Sequence, residues 1–91
     1  MKLQAANRIL AGKYDDVDDY LMELDVEFFH EGNKIIVVLD SDSQATEIVN
    51  TLKAPFKLRV DSPSVLRQKS FAVVGDITVQ KVGKSLRIYE G

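Results

Sequence analysis

The chain has no cysteine, a single histidine (His30), two prolines and five glycines among its 91 residues. Without thiols there is no disulfide framework, no thiolate zinc or iron–sulfur site and no cysteine nucleophile. No apolar run approaches the ~20 residues of a membrane-spanning helix, so no membrane partner is expected. The stretch Met1 to Gly12 shows no apolar signal-peptide core, and a cytoplasmic location is the expectation. Two conventional domains do not fit in this length. Size scaling lets about 64% of the unfolded chain's surface be buried, which supports one modest core over residues 1–91.

Charge supplies the first asymmetry. The net charge is −2. Residues 1–50 carry four Lys/Arg against eleven Asp/Glu, a net of −7, while residues 51–91 carry eight against three, a net of +5. A chain polarised in this way can present oppositely charged faces to partners, or pair acidic half to basic half with itself.

Periodicity divides the chain into elements. Leu3, Ala6 and Leu10 mark a first helix over Lys2–Ala11, stopped at Gly12. Val17, Tyr20, Leu21 and Leu24 mark a second over Asp16–Glu23, with Asp15 as its cap and Asp16, Asp18 and Asp19 in the first turn, where the helix dipole favours them. Two strands, Val26–His30 and Lys34–Asp40, flank the hairpin residues Glu31-Gly32-Asn33. The five apolar residues Ile35–Leu39 read as a strand covered on both faces. Ser41-x-x-Gln44 has capping-box spacing and opens a helix that ends at Ala54-Pro55. Phe56, Leu58 and Val60 alternate with Lys57, Arg59 and Asp61 as a half-buried strand. Beyond the turn Ser62-Pro63-Ser64 the pattern from Val65 onward reads as β, with strands at Phe71–Val74, Ile77–Val82 and Leu86–Tyr89. Gly75-Asp76 marks either a hairpin or a bulge, and Gly83-Lys84 a hairpin.

The expected fold is therefore α+β in the order ααββαββββ, a largely antiparallel sheet of about five or six strands with helices packed on one face. Residues 1–24 form a helical hairpin, 25–61 a ββαβ unit and 62–91 the C-terminal β-hairpins. The strand–helix–strand unit from Ile35 to Val60 allows one parallel pair.

Few constellations carry chemistry. The segment Val37-Val38-Leu39-Asp40-Ser41-Asp42-Ser43 resembles the first motif of the haloacid-dehalogenase-like phosphatases, a hydrophobic strand ending in Asp-x-Asp. That resemblance implies Asp40 as nucleophile, Asp42 as general acid/base and magnesium nearby. It covers seven residues, departs from the pattern at Gln44, and implies a doubly wound sheet for which 91 residues leave no room. The plain alternative is a strand end followed by a capped, acidic helix start. Asp15, Asp16, Asp18 and Asp19 lack the glycine and the bidentate Glu of a calcium loop and read as a solvated helix face. His30 has no oriented partner that would make it a general base. No catalytic residue, metal ligand or cofactor is assigned.

The basic C-terminal half remains. Lys57, Arg59, Arg67, Lys69, Lys81, Lys84 and Arg87 are the expected partner-binding group on one sheet face. The reading is a small non-catalytic interaction or assembly module that binds an acidic protein or itself. The alternative is a nucleic-acid-binding accessory protein using the same face, with Tyr89 and Phe71 as the nearby stacking aromatics. A phosphohydrolase at Asp40 and Asp42 stands third.

Overall fold

Alternating hydrophobicity and three short turns set most of the chain's path. The structure, a computed structural model, describes residues 16–90. The helix expected over Lys2–Ala11 and its Gly12 stop lie outside these residues. Asp16, not Asp15, caps the helix that begins at Val17, its side chain accepting the Asp19 N–H at 2.9 Å, and Asp16 and Asp18 are buried where a solvated acidic face is expected. The described elements run α1 (Val17–Glu23), β1 (Glu27–Glu31), β2 (Lys34–Val38), α2 (Asp42–Lys53), a 3-10 turn (Pro63–Arg67), β3 (Ser70–Val74), β4 (Ile77–Val82) and β5 (Ser85–Glu90). Together they form an α+β domain with a five-stranded sheet in the order β1-β2-β5-β4-β3, antiparallel at every pairing. No helix among the described residues is long and apolar enough to cross a membrane.

Side-chain alternation gives this sheet two unlike faces. Across the register, Phe28, Val37, Leu86, Lys81 and Phe71 stand side by side, and so do His30, Ile35, Ile88, Val79 and Val73. The apolar members of those rows on β2 to β5 join Val17, Tyr20 and Leu21 of α1 and Ala45, Ile48, Val49 and Leu52 of α2 in one buried cluster. Ile36 has the opposite parity and is buried at 8% exposure outside that cluster. The apolar run of β2 is thus shielded on both sides, although β2 is second in the sheet rather than central.

Turn chemistry explains the hairpins. Glu31 pairs with Lys34 and Val82 with Ser85, so each hairpin closes with two residues. Each loop begins with a glycine in the left-handed region, Gly32 at φ 61° and Gly83 at φ 60°, where a Cβ would be strained. Gly75-Asp76 links β3 to β4 as a hairpin, not a bulge.

The second half of the chain departs from its sequence pattern in three ways. First, residues 56–60 form no full strand; only Arg59 bridges Val74. Their alternation survives, with Phe56 and Leu58 buried and Lys57 and Arg59 exposed. However, Lys57 at φ 52° bends the chain out of strand geometry. Second, Pro63–Arg67 is a 3-10 turn with proline at its start, where a missing N–H costs nothing. Third, no strand follows α2 in parallel with β2, and the observed sheet contains no parallel pair. The capping box at Ser41 is likewise only half realised. Ser41 caps by backbone geometry without a side-chain bond, and Gln44 Oε1 accepts the N–H of Asp40 at 2.8 Å.

Candidate functional site

The parity of β4 decides the fate of its lysine. Ile77, Val79 and Lys81 share the inward face, so Lys81 lies between Phe71 and Leu86 with 2% of its surface exposed. Its aliphatic stem continues the apolar row, and its ammonium reaches the end of the sheet beside the first turn of α2. There Nζ donates to the Lys69 carbonyl at 3.0 Å and pairs with Asp42 Oδ1 at 3.3 Å. Asp42 itself is 81% exposed. An ammonium has three donors. Among the described residues that of Lys81 makes one hydrogen bond, to the Lys69 carbonyl, and one ion pair, with Asp42.

Lys81, Asp42, Lys69, Gly83 and Lys84 line a cleft of about 230 Å³. Local structure explains this grouping. Lys69 directly precedes β3, while Lys84 sits in the β4–β5 turn and its carbonyl accepts the N–H of Leu39 at 2.8 Å. That bond draws the end of β2, and with it the start of α2, against the turn. The cleft holds three cationic side chains and one carboxylate, which suits a small anionic group such as a carboxylate.

The other expected residues are dispersed. Lys57 and Arg59 are exposed at the opposite end of β3, beside the Gly75 turn. Arg67 lies in the 3-10 turn and lines a second cavity of about 290 Å³ with Lys53, Asp61 and Asn50. Arg87 pairs with Ile36 and Gln80 and therefore projects from the face opposite Lys81. The seven residues do not share one sheet face. Three of them share the cleft. Asp42 was absent from the sequence-based group, and so was the inward direction of Lys81. The signal for the latter was the shared parity of residues 77, 79 and 81.

The remaining polar features lie away from this cleft or at its border, and His30 does have an oriented partner. His30 Nε2 contacts Asp18 Oδ2 at 2.5 Å and ties β1 to α1. Its ring meets Phe28 edge-on at 6.5 Å. Asp40 is exposed at the strand end, and Ser41 and Ser43 bond each other at 2.9 Å. An antiparallel sheet surrounds this Asp-x-Asp segment in place of the doubly wound sheet that the phosphatase resemblance implies. Among the described residues no three His, Asp or Glu side chains gather where a metal ion could be held. Phe71 is buried, and Lys34 lies over the Tyr89 ring at 5.1 Å. No protein-family model, curated protein or solved structure matches the chain.

Proposed function

We propose that this protein is a small, non-catalytic interaction module that holds carboxylate groups of an acidic protein partner at the lysine cleft. In this reading both helices pack on the inward face of the sheet and keep the cleft rigid. The observation that carries the proposal is Lys81. A nearly buried ammonium already holds one carboxylate of its own chain and is flanked by the exposed Lys69 and Lys84. Charge-assisted contacts of this type are about twice as strong as neutral hydrogen bonds. A nucleic-acid track is less well supported, because Arg87 stands on the other face and Phe71 is unavailable for stacking.

The test is fluorescence anisotropy with a labelled short polyglutamate peptide. Binding is expected at low salt and is expected to vanish near 1 M, where the screening length is only ~3 Å. The pair Lys69→Glu and Lys84→Glu, both exposed, is expected to weaken binding at least about tenfold, ~1.4 kcal/mol. Unchanged affinity in that variant would remove the cleft from the mechanism. Tighter binding of a mixed-sequence oligonucleotide than of the peptide would replace the carboxylate partner with a phosphate one.

A further inference from the structure

The charge polarity of the sequence becomes spatial in the fold. Residues 16–33, which build α1, β1 and the first turn, contain seven Asp/Glu and no Lys or Arg. Residues 53–69, from the last turn of α2 to the threshold of β3, contain five Lys/Arg against the single Asp61. The sheet order places β1 and β3 at opposite edges, four strand spacings or about 19 Å apart. The His30–Asp18 contact fixes α1 to the β1 side. On the other side Arg59 N–H donates to the Val74 carbonyl at 2.9 Å and Asp76 N–H to the Phe56 carbonyl at 2.8 Å, which fixes the basic segment along β3.

The two charged edges also match in height. Glu27, Val38, Ser85, Val82 and Ser70 form the row at one end of the sheet, and Glu31, Lys34, Tyr89, Thr78 and Val74 the row at the other. Lys69 precedes Ser70, and Arg59 bridges Val74. Hence Lys69 and Arg59 on the basic border stand level with Glu27 and Glu31 on the acidic edge. All four side chains are exposed and make no ion pair among the described residues.

We propose that the acidic partner is a second copy of this chain, docked head to tail, with the α1–β1 edge of one copy against the β3 border of the next. The inference rests on the acidic-partner reading above, names the partner, and extends its contact from Lys69 at the cleft along the β3 border to Arg59 and Lys57. The contact is heterologous, so it propagates along a row of molecules or closes into a ring. A two-fold pairing of β1 with itself about Phe29 would set Glu27 directly opposite Glu31, a like-charge pairing that opposes the symmetric alternative.

A charge-swap experiment tests this on the full chain. One variant carries Lys57→Glu, Arg59→Glu and Lys69→Glu; the other carries Glu23→Lys, Glu27→Lys and Glu31→Lys. All six positions are exposed, and circular dichroism verifies folding of each variant. By light scattering at low salt, wild type is expected to assemble and each variant alone to stay monomeric. The equimolar mixture is expected to reach at least about twice the average mass of either component and to fall apart near 1 M salt. Monomeric behaviour of both wild type and mixture overturns the second-copy partner. Assembly of either variant alone to the wild-type extent overturns it too. In either case polyglutamate binding by the wild type keeps the acidic-partner reading, and loss of that binding removes both.

Discussion

Replacing Gly75 by alanine tests how the β3–β4 turn is anchored. This glycine lies outside the left-handed region, so its lack of a side chain is required by space and not by backbone torsion. A Cβ built there falls 2.5 Å from the Lys57 carbonyl oxygen and 2.7 Å from that of Phe56. Restoring ordinary contact needs about 0.9 Å of separation between two backbone segments. The Phe56 carbonyl cannot retreat freely, because it accepts the Asp76 N–H at 2.8 Å. Overpacking of about 2 kcal/mol and a weakened hydrogen bond of about 1 kcal/mol together give a loss of about 3 kcal/mol. That corresponds to about 15 °C in melting temperature for a domain of this size. Urea unfolding followed by circular dichroism reads the loss directly, with Gly83→Ala as the control. Gly83 has open space around it but a φ of 60°, so alanine there is expected to cost only about 1 kcal/mol. A cost below about 1 kcal/mol for Gly75→Ala, or below that of Gly83→Ala, refutes a steric requirement for glycine at this turn.

Four other substitutions, at three positions, separate packing from charge. Lys81→Met keeps the buried stem and is expected to change stability by less than about 1 kcal/mol. Lys81→Ala opens a cavity and costs about 2–3 kcal/mol in the same urea assay. Both are expected to lose polyglutamate binding, and retention by Lys81→Met would show that the ammonium is not the anchor. Asp42→Asn removes the carboxylate that already sits in the cleft and is expected to tighten peptide binding by about three- to tenfold, ~0.7–1.4 kcal/mol; weaker binding would mean that Asp42 organises the site and does not compete for it. His30→Ala takes the imidazole from Asp18, whose side chain is only 11% exposed. It is expected to cost about 1–2 kcal/mol, with hydrogen exchange rising first in β1.

Local order was legible in the residues themselves. The strand Ile77–Val82 matches its sequence boundaries, because a β-prone run lies between two turn dipeptides, although the first of these also admits a bulge. Gly32 and Gly83 announced their hairpins for the same reason. At two places the local pattern does not match the fold. Phe56, Leu58 and Val60 have strand alternation, yet a strand also needs a neighbour to bond along its length, and this segment finds one only at Arg59. Val65 and Leu66 are compatible with a strand, but Pro63 opens a 3-10 turn that carries the chain through Arg67.

By itself the sequence determined the α+β class, three of the turns, the separation of acidic from basic segments and the absence of thiol chemistry, since each follows from short-range periodicity, backbone torsion or composition. Only the tertiary structure decided which charges meet. Lys81 was turned inward by the strand's two-residue repeat and brought to Asp42, 39 positions earlier in the chain. Arg87 was sent to the far face by its place in the register. The acidic and basic segments were carried to opposite edges of one sheet by the strand order β1-β2-β5-β4-β3. Strand order is settled by which buried faces pack best over the whole core, and no local stretch of residues encodes it.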